Sequence, residues 1–365
     1  MRILFLAPAN NYHTKKWCHY FSDNGHDVHV ISLVEGNIEN VKVHFIDTGA
    51  STTSSDFKKL KYFTKILSIH RLIKEIAPDV INAHYASSYG AIAALTCFQD
   101  YYLSVWGSDV YDFPQKSVFH KILLKFSLER SKYLFSTSYA MAKEIRKYTR
   151  KAIEVTPFGV DMDLFSPNKR VLEKKDSKFV FGTVKALTPK YGISTLLRAT
   201  ALIRSQYPNI PIELRIAGKG EYEQQYKQMA VDLKIEDVTT WLGFISQDLV
   251  AVEWANMDIA VVPSEWDSES FGVSAVEAQA CGTPVIITDI EGLKEATKPG
   301  STSIVIPKGN EILLAEKLIE LYFAPATRYS MGKEGRKFVQ NHYEYNMCFK
   351  KVELIFYKNL SSVKD

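Results

Sequence analysis

Short apolar segments alternate with longer amphipathic ones along the chain, and the alternation starts afresh near residue 178. In the first half the pattern predicts strands at 3–7, 28–33, 41–46, 79–83, 102–105, 134–136 and 153–155. In the second half it predicts strands at 179–184, 212–216, 238–241, 259–262, 285–288 and 303–306. Strands separated by helices form parallel sheets with helices on both faces. We therefore predict an α/β protein with two similar halves facing a central cleft, and ligand sites beyond the carboxyl ends of the strands.

The helical segments lie between the predicted strands. In the first half they are predicted at 14–22, 57–76, 87–98, 118–131 and 140–148. In the second half they are predicted at 193–205, 222–233, 247–255, 273–280, 311–323, 327–339 and 345–360. Thr14 is expected to cap the first of these helices. A polar, charged stretch at 168–178 predicts a linker, and 365 residues exceed what one ordinary core holds.

The composition, 46% hydrophobic and 24% charged, is that of a soluble globular protein. No apolar run approaches the roughly 20 residues that cross a bilayer. The apolar run within residues 1–8 is short and lacks a cleavage-like site, so we predict a first strand rather than a signal peptide, and a cytoplasmic location. The four cysteines are far apart, which favours a reducing compartment and buried thiols over disulfides or a metal site.

Positive charge is concentrated in the first half. Residues 1–165 hold 20 Lys and Arg against 16 Asp and Glu, whereas the remainder holds 25 of each. The basic residues crowd two predicted helices, with Lys58, Lys59, Lys61, Lys65, Arg71 and Lys74 on one and Lys116, Lys121, Lys125, Arg130 and Lys132 on the other. Two solvated helix faces explain this pattern, and attraction to anionic lipid or to a phosphate-bearing acceptor is the functional alternative. No recognition motif accompanies the charge, so a nucleic-acid partner is not expected.

The segment from Glu269 to Pro284 holds two carboxylates, Glu269 and Glu277, around a turn at Gly272 and the start of a predicted helix. Free N–H groups at a helix N-terminus bind phosphate, and a glycine lets the ligand approach the backbone. Glu277 would lie about 7 Å further along the helix axis. This order suits a nucleotide-sugar, because carboxylates accept hydrogen bonds from the diols that flank its diphosphate. An acidic loop before a core helix is the alternative.

Further candidates in the second half follow strands. Lys185 comes directly after the first strand of this half and Lys190 five residues later, so their ammonium groups could neutralise a diphosphate. Surface lysines are the alternative. Gly218 begins a Gly-Lys-Gly turn, which is weaker than a dinucleotide-binding fingerprint. Leu242 and Phe244 flank a glycine and could form an apolar shelf for a nucleobase, although core packing explains them equally well.

Polar residues also follow strands in the first half. Asn10, Asn11 and His13 follow the first strand and could hold acceptor hydroxyls, with an ordinary loop as the alternative. His84 follows the fourth strand and Asp109 the fifth. A structural histidine and a turn-capping aspartate are the alternatives to catalytic roles for this pair. Eight of the nine histidines precede residue 166, which places the acid–base candidates in this half.

Taken together, these residues resemble the family 4 glycosyltransferases, which are retaining enzymes of the GT-B fold with two Rossmann-like domains. The strongest resemblance is to the family's E-x7-E motif, from Glu269 to Glu277, with Ser264 before it and Cys281-Gly-Thr-Pro-Val285 after it. Weaker matches lie at 107–109, 158–165, 218–220 and 242–244. The resemblance covers nearly the whole chain.

The resemblance implies a donor site in the second half and an acceptor site in the first. Glu269 would lie beside the donor sugar, Glu277 would bind the ribose, and Lys185 and Lys190 would contact the diphosphate. The turn that would hold the phosphate consists of Ser270, Phe271, Gly272 and Val273. A final helix at about 345–365 would pack back on the first domain. We therefore predict an acceptor domain at 1–166 and a donor domain at 178–344.

Two departures from the family's pattern concern the ligand loops. Tyr191, rather than a basic residue, directly precedes the glycine at 192, and Lys190 lies one position earlier. Asn10 and Asn11 stand where the family often has two glycines.

A third departure concerns the reacting centre. Trp106 stands where the family often has a histidine before Gly-x-Asp. His13 and His84 are the candidates to replace that histidine. Trp106 would instead offer an apolar face to a sugar ring or a lipid.

The sequence therefore predicts a retaining glycosyltransferase that moves a hexosyl group from a UDP- or GDP-sugar to a glycan or lipid-linked acceptor. Synthesis of a bacterial surface polysaccharide, such as lipopolysaccharide or capsule, is the expected role, and the basic first half is compatible with peripheral contact at the inner face of the membrane. Cationic side chains would stabilise the leaving diphosphate, so no metal or cofactor is expected. The alternatives are a nucleotide-sugar epimerase of the same fold and a two-lobed sugar-binding protein without catalysis.

Overall fold

The computed structural model describes residues 1–49, 64–97, 100–171 and 178–361, and the chain forms two compact units. The first unit comprises Met1–Phe158 and Asn346–Asp365, and the second comprises Gly159–Tyr345. Each unit is built on its own parallel sheet, which confirms the predicted α/β class. Residues 57–63 of the predicted second helix, including three of its lysines, and most of the predicted linker lie outside the described residues.

The first unit has a seven-stranded parallel sheet in the order β3-β2-β1-β4-β5-β6-β7. Its strands are β1 (Arg2–Leu6), β2 (Asp27–Ser32), β3 (Lys42–Phe45), β4 (Val80–His84), β5 (Tyr102–Val105), β6 (Tyr133–Ser136) and β7 (Ile153–Val155). Its helices are α1 (Tyr12–Asp23), α2 (Ile66–Ile76), α3 (Gly90–Thr96), α4 (Ser108–Tyr111), α5 (Val118–Arg130) and α6 (Tyr139–Ile145). The chain reverses direction across the sheet between β1 and β4, so the loops that follow these two strands are neighbours.

The second unit repeats this plan with a six-stranded parallel sheet in the order β10-β9-β8-β11-β12-β13. Its strands are β8 (Phe179–Val184), β9 (Ile212–Ala217), β10 (Thr239–Gly243), β11 (Ile259–Val262), β12 (Val285–Thr288) and β13 (Ser303–Ile306). Its helices are α7 (Ile193–Gln206), α8 (Glu223–Asp232), α9 (Gln247–Asn256), α10 (Val273–Ala280), α11 (Glu291–Glu295), α12 (Glu311–Phe323) and α13 (Pro325–Tyr343). Here the chain reverses between β8 and β11.

Each sheet is buried because apolar side chains occupy both of its faces. In the first unit Leu4 and Leu103 of the sheet pack in one core with helix residues such as Leu124. In the second unit Phe181 and Val261 pack in a separate core. Strands covered on both sides are continuous apolar runs, which is why the sequence pattern locates them well.

The helix boundaries differ from the prediction at the first helix. Asn11, not Thr14, caps α1: its side-chain Oδ1 accepts the N–H groups of His13 at 2.9 Å and Thr14 at 3.3 Å. Thr14 is fully buried within the first turn of the helix, so the prediction of a Thr14 cap is wrong. The one-turn helices α4 and α11 are absent from the prediction because segments this short show no periodicity.

The chain enters the second unit at Gly159, earlier than the predicted boundary at 166. The N–H of Val160 donates to the carbonyl of Tyr343 at 2.7 Å. The guanidinium of Arg336 donates to the carbonyl of Phe165 at 2.9 Å. These bonds hold residues 160–165 to helix α13.

The last helix, α14 (Tyr345–Ser361), packs on the first unit from residue 346 onward. Phe349 meets Trp17 of α1 edge to face at 5.3 Å between ring centroids. Beside them, the buried carboxylate of Glu353 lies 2.8 Å from Nε2 of His26 and accepts a hydrogen bond from the hydroxyl of Tyr20 at 3.3 Å. An apolar seam with one buried polar cluster thus joins α14 to α1.

Candidate active site

The donor candidates gather where the second sheet reverses direction, beyond the carboxyl ends of β8 and β11. Lys185 follows β8 directly, and the loop at 263–272 follows β11. In a parallel α/β sheet these two strand ends frame the crevice in which ligands bind.

An ion pair between Lys185 and Glu269 lies at the centre of this edge. The two groups are 2.8 Å apart, and their side chains are only 8% and 9% exposed. Burial alone would lower the pKa of Lys185, but the carboxylate of Glu269, followed by Tyr191, raises it above its usual value. Lys185 therefore stays protonated, and the pair places a buried cation at this edge of the sheet.

Tyr191 lies between the two lysines. The ammonium of Lys185 is 4.9 Å, and that of Lys190 5.4 Å, from the centre of its ring. Lys190 also donates to the carbonyl of Ser268 at 3.1 Å. The aromatic ring thus contacts both cations at this edge of the sheet. The sequence signal was an aromatic residue directly after Lys190, but only the fold shows that the ring also reaches Lys185.

The turn before α10 is formed by Gly272, which has a φ of +75°. A Cβ at this position would lie 2.7 Å from Cδ2 of Leu293, so both the backbone and the space favour glycine. Ser274 in the first turn of α10 donates to the carbonyl of Val184, which ties the helix start to the end of β8 at 3.0 Å. The first N–H groups of α10, which have no partner within the helix, therefore begin beside Lys185.

Glu277 lies one turn further along α10 and is buried. The indole N–H of Trp254 donates to its carboxylate at 3.5 Å. Glu277 also contributes to the raised pKa of Lys185, which places both carboxylates within electrostatic reach of that ammonium. The order predicted from the sequence, carboxylate, helix start, carboxylate, is thus present in space.

The ends of β9 and β10 complete this edge. Gly218 has a φ of +141°, and a Cβ there would lie 1.9 Å from the carbonyl oxygen of Lys185, so only glycine fits. Its N–H donates to the carbonyl of Gly243 at 2.7 Å. Leu242 is half-buried, whereas the ring of Phe244 is 78% exposed. An exposed ring beside a strand end is compatible with the predicted apolar shelf.

Two of the acceptor candidates, His13 and Trp106, form an aromatic cluster with the catalytic candidate His84 beyond β1, β4 and β5. The ring of His13 stacks on Phe158 at 4.0 Å between centroids. Trp106 contacts His84 at 4.4 Å and Tyr85 at 4.8 Å. Tyr85 has a φ of +68° at the start of a π-helical turn, a conformation that costs energy in any residue except glycine. The structure thus brings together His13, His84 and Trp106 and adds two aromatic residues that the sequence analysis did not identify as site residues.

The two histidines of this cluster are held neutral. Burial lowers the pKa of His84 to about 3, and burial followed by the charge of Lys16 lowers the pKa of His13 to about 3. Nε2 of His84 lies 3.1 Å from Oδ1 of Asn82, whereas its Nδ1 is buried without a partner. Both imidazoles are therefore neutral near neutral pH, and pKa values this low make them weak bases.

The polar candidates of the first unit are engaged by backbone or exposed to solvent. The carboxylate of Asp109 accepts the N–H groups of Ala86 and Gly107, both at 2.8 Å. Burial raises the pKa of Asp109, although these hydrogen bonds act to lower it. Asn11 caps α1, and its amide N–H donates to the hydroxyl of Tyr85 at 3.4 Å, while Asn10 is exposed. Asp109 and Asn11 thus shape the loops around the aromatic cluster.

Comparison with known proteins identifies the family. The profile described as "Glycosyl transferase 4-like" matches residues 2–138, and that described as "Glycosyl transferases group 1" matches residues 165–338. The chain belongs to the family 4, group 1 glycosyltransferases. Its two parallel sheets form the two Rossmann-like domains of the GT-B fold.

Similar proteins include a curated relative and two solved structures. The "D-inositol 3-phosphate glycosyltransferase" of Pseudarthrobacter chlorophenolicus is 34% identical over 196 residues, 52% of this glycosyltransferase and 46% of that protein. The chain spans about half the length of the first curated relatives it matches. The sucrose-phosphate synthase of Thermosynechococcus elongatus aligns with a TM-score of 0.86 at 18% identity, over 99% of this chain and 100% of that one. Anabaena HepE in complex with UDP and glucose aligns with a TM-score of 0.79 at 17% identity over the same shares.

A cavity of about 1140 Å³ lies elsewhere on the second unit of this glycosyltransferase. It is lined by the residues that precede β8, β11 and β12 and by the basic face of α13, and it contains none of the predicted site residues. These are the amino ends of the strands, the edge opposite the candidate site. In the ranges that the structure describes, no group of three or more His, Cys, Asp or Glu side chains is placed to hold a metal ion.

Proposed function

We propose that this glycosyltransferase moves a hexosyl group from a UDP- or GDP-sugar to a hydroxyl of a glycan or lipid-linked acceptor, with retention of the α configuration. The observation that carries the proposal is the buried Lys185–Glu269 pair, which lies beside the Gly272 turn with Glu277 one helical turn away. The cation and the first amides of α10 match the diphosphate of such a donor, and the two carboxylates match its two sugar diols.

The leaving diphosphate gains negative charge as the bond to the sugar breaks. Lys185 would turn from Glu269 to the phosphate, while Lys190 and the first amides of α10 would add hydrogen bonds. Release from the ion pair would leave Glu269 free to accept hydrogen bonds from the donor sugar. Because the cations come from the protein, the reaction as proposed needs no metal.

The acceptor hydroxyl must pass its proton to a group other than His13 or His84. Burial lowers the pKa of both histidines to about 3, so neither imidazole is a strong enough base to take that proton near neutral pH. We infer that the departing phosphate takes the proton on the same face of the sugar, as a retaining reaction permits. The aromatic cluster around Trp106 would then bind the acceptor through its apolar face.

The acceptor class rests on the relatives and on charge. The curated relative is named for an inositol phosphate acceptor, and the positive first half of this chain suits a phosphate-bearing or lipid-linked acceptor. We infer a role in building a bacterial surface glycan at the inner face of the membrane. Across the described ranges, the helices are too short or too polar for any of them to span a bilayer.

The decisive experiment measures nucleoside diphosphate release from a panel of UDP- and GDP-sugars, with and without lipid-linked and oligosaccharide acceptors. We expect release with one donor and a strong dependence on acceptor. Donor conversion without acceptor would favour an epimerase, and sugar binding without any release would favour a binding protein. Glu269→Ala and Glu277→Ala should abolish or cripple release, whereas Glu291→Ala, at a 75% exposed carboxylate, should not. Normal turnover in both site variants would overturn the site assignment.

A further inference from the structure

Helix α5 of the first unit has two apolar faces, of which only one is packed. Leu124 and Leu128 are fully buried against the rest of the unit. Four large apolar side chains remain exposed on the same helix, by 75%, 60%, 60% and 40%, namely Val118, Phe119, Ile122 and Phe126. We call these four residues the α5 stripe. Scattered apolar residues are common on surfaces, but four on one helix form a contiguous patch of the kind that marks an interaction site.

The α5 stripe is continuous along the helix. At about 100° per residue its four members span an arc of about 100°, and its centre lies roughly opposite the buried arc around Leu124 and Leu128. An apolar arc of this width is what a surface helix normally turns toward a core. Here it faces solvent in the unit as folded.

Positive charge borders the α5 stripe, while the exposed carboxylate of Glu129 lies on the same arc near the helix end and accepts a hydrogen bond from Thr149. Lys121 and Lys125 are exposed along one edge, and Arg130 lies at the other edge near the helix end. Within the described ranges, neither the ammonium group of Lys121 nor that of Lys125 has an ion pair or a hydrogen bond. Lys116 adds a further exposed positive charge just before the helix. A broad apolar face edged by lysines is typical of helices that lie in the interface of an anionic bilayer.

We propose that α5 docks the protein on an anionic membrane, with the α5 stripe inserted at the level of the lipid headgroups and Lys121 and Lys125 on lipid phosphates. A second copy of the chain is a poorer occupant, since pairing two such faces would bring their uncompensated lysines together. The docking proposal goes beyond the transfer reaction and does not depend on it. It supplies a physical route by which the chain reaches a lipid-linked acceptor.

The test is co-sedimentation of the full-length protein with vesicles of phosphatidylcholine alone or with about 30 mol % phosphatidylglycerol. We expect binding to the anionic vesicles and little to the neutral ones. The double variant Phe119→Ser/Ile122→Ser should bind at least about tenfold more weakly, because two half-inserted side chains are lost. Lys121→Glu/Lys125→Glu should weaken binding by more than about tenfold, at roughly fivefold for each lysine removed.

Matched controls come from the second unit. Ile312→Ser/Phe323→Ser changes side chains that are 62% and 67% exposed, which matches the 60% exposure of both Phe119 and Ile122. Lys333→Glu/Lys337→Glu changes two exposed lysines at the same four-residue spacing on α13. Both controls should bind anionic vesicles like the parent protein. If the stripe and control variants lose vesicle binding equally, binding is a non-specific property of the whole surface, and the proposal is overturned.

Two further measurements separate the remaining outcomes. No binding of the parent protein to anionic vesicles overturns the proposal outright. Sedimentation velocity that shows a dimer dissociated by Phe119→Ser/Ile122→Ser would assign the stripe to a second copy instead. Donor turnover with a water-soluble acceptor should be unchanged in the stripe variants. A failure of vesicle binding is thereby distinguished from a failure of the proposed reaction.

Discussion

Replacing Lys185 with methionine should destabilise the second domain strongly, because it leaves the carboxylate of Glu269 buried without its cation. The two groups are 2.8 Å apart and about nine-tenths buried. At an effective dielectric constant of about 20, their attraction is of the order of 6 kcal/mol, and the cost of desolvating both ions offsets most of it. Removing one partner forfeits the attraction but keeps the cost of burying the other. We therefore expect Lys185→Met to lower the free energy of unfolding by about 3–5 kcal/mol.

The double variant Lys185→Met/Glu269→Gln distinguishes this account from simple loss of packing. It removes both charges, so it should be more stable than Lys185→Met alone by at least about 2 kcal/mol. A third variant, Lys227→Met, serves as the control. It breaks a pair of nearly the same length, 2.7 Å, in which the lysine is 39% exposed, and should cost less than about 1 kcal/mol.

The assay is urea unfolding at neutral pH, followed by hydrogen exchange of peptides from β8 and β11. Local readout matters because the two domains need not unfold together. If Lys185→Met and the double variant lose the same free energy within about 0.5 kcal/mol, the buried pair is not what stabilises this edge of the sheet, and the reasoning is refuted.

Four further predictions follow from the site. Glu277→Gln should raise KM for the donor by about 10–100-fold in the nucleoside diphosphate release assay, because it weakens charged hydrogen bonds to the ribose. Gly272→Ala should lower the melting temperature more than Gly300→Ala does, because Gly300 has a similar positive φ but no atom within 4 Å of the new Cβ. Equal decreases would mean that the contact with Leu293 does not contribute to the destabilisation. Tyr191→Leu should weaken binding of the nucleoside diphosphate product about tenfold in calorimetry, whereas Tyr191→Phe should keep it, since only the ring is needed for cation–π contact. The free energy of unfolding should fall as pH drops below about 6.5. The unfolded chain binds a proton at His84 in this range, whereas the folded chain, in which the pKa of His84 is about 3, does not. His84→Phe should reduce the slope of this fall by about 1.4 kcal/mol per pH unit.

The sequence pattern predicted the two sheets well and the loops less well. Strands such as β8 and β11 were predicted to the residue because they are continuous apolar runs between turns. The predicted cap of α1 was wrong because Asn11 and Thr14 are both good capping residues. Which of them caps the helix depends on the direction in which the chain leaves β1. The aromatic cluster joins residues from four separate segments of the chain, so no local sequence pattern predicts it. Tyr85 in particular has a strained φ that its sequence does not reveal.

For the donor site, the sequence by itself determined the residue types and their order: two carboxylates, a glycine turn, and lysines after strands. Local spacing decides these features, since a helix start, a strand end and a turn each depend on a few neighbouring residues. Only the tertiary structure decided that Lys185 pairs with Glu269, that Tyr191 lies between two ammonium groups, and that Asp109 bonds to backbone. The Lys185–Glu269 pair and the hydrogen bond from Ala86 to Asp109 join segments that are distant in the chain, and the contact of Tyr191 with Lys185 depends on how the loop between them folds. The same holds for the α5 stripe, because the sequence shows an apolar, basic helix but only packing shows which face was left exposed.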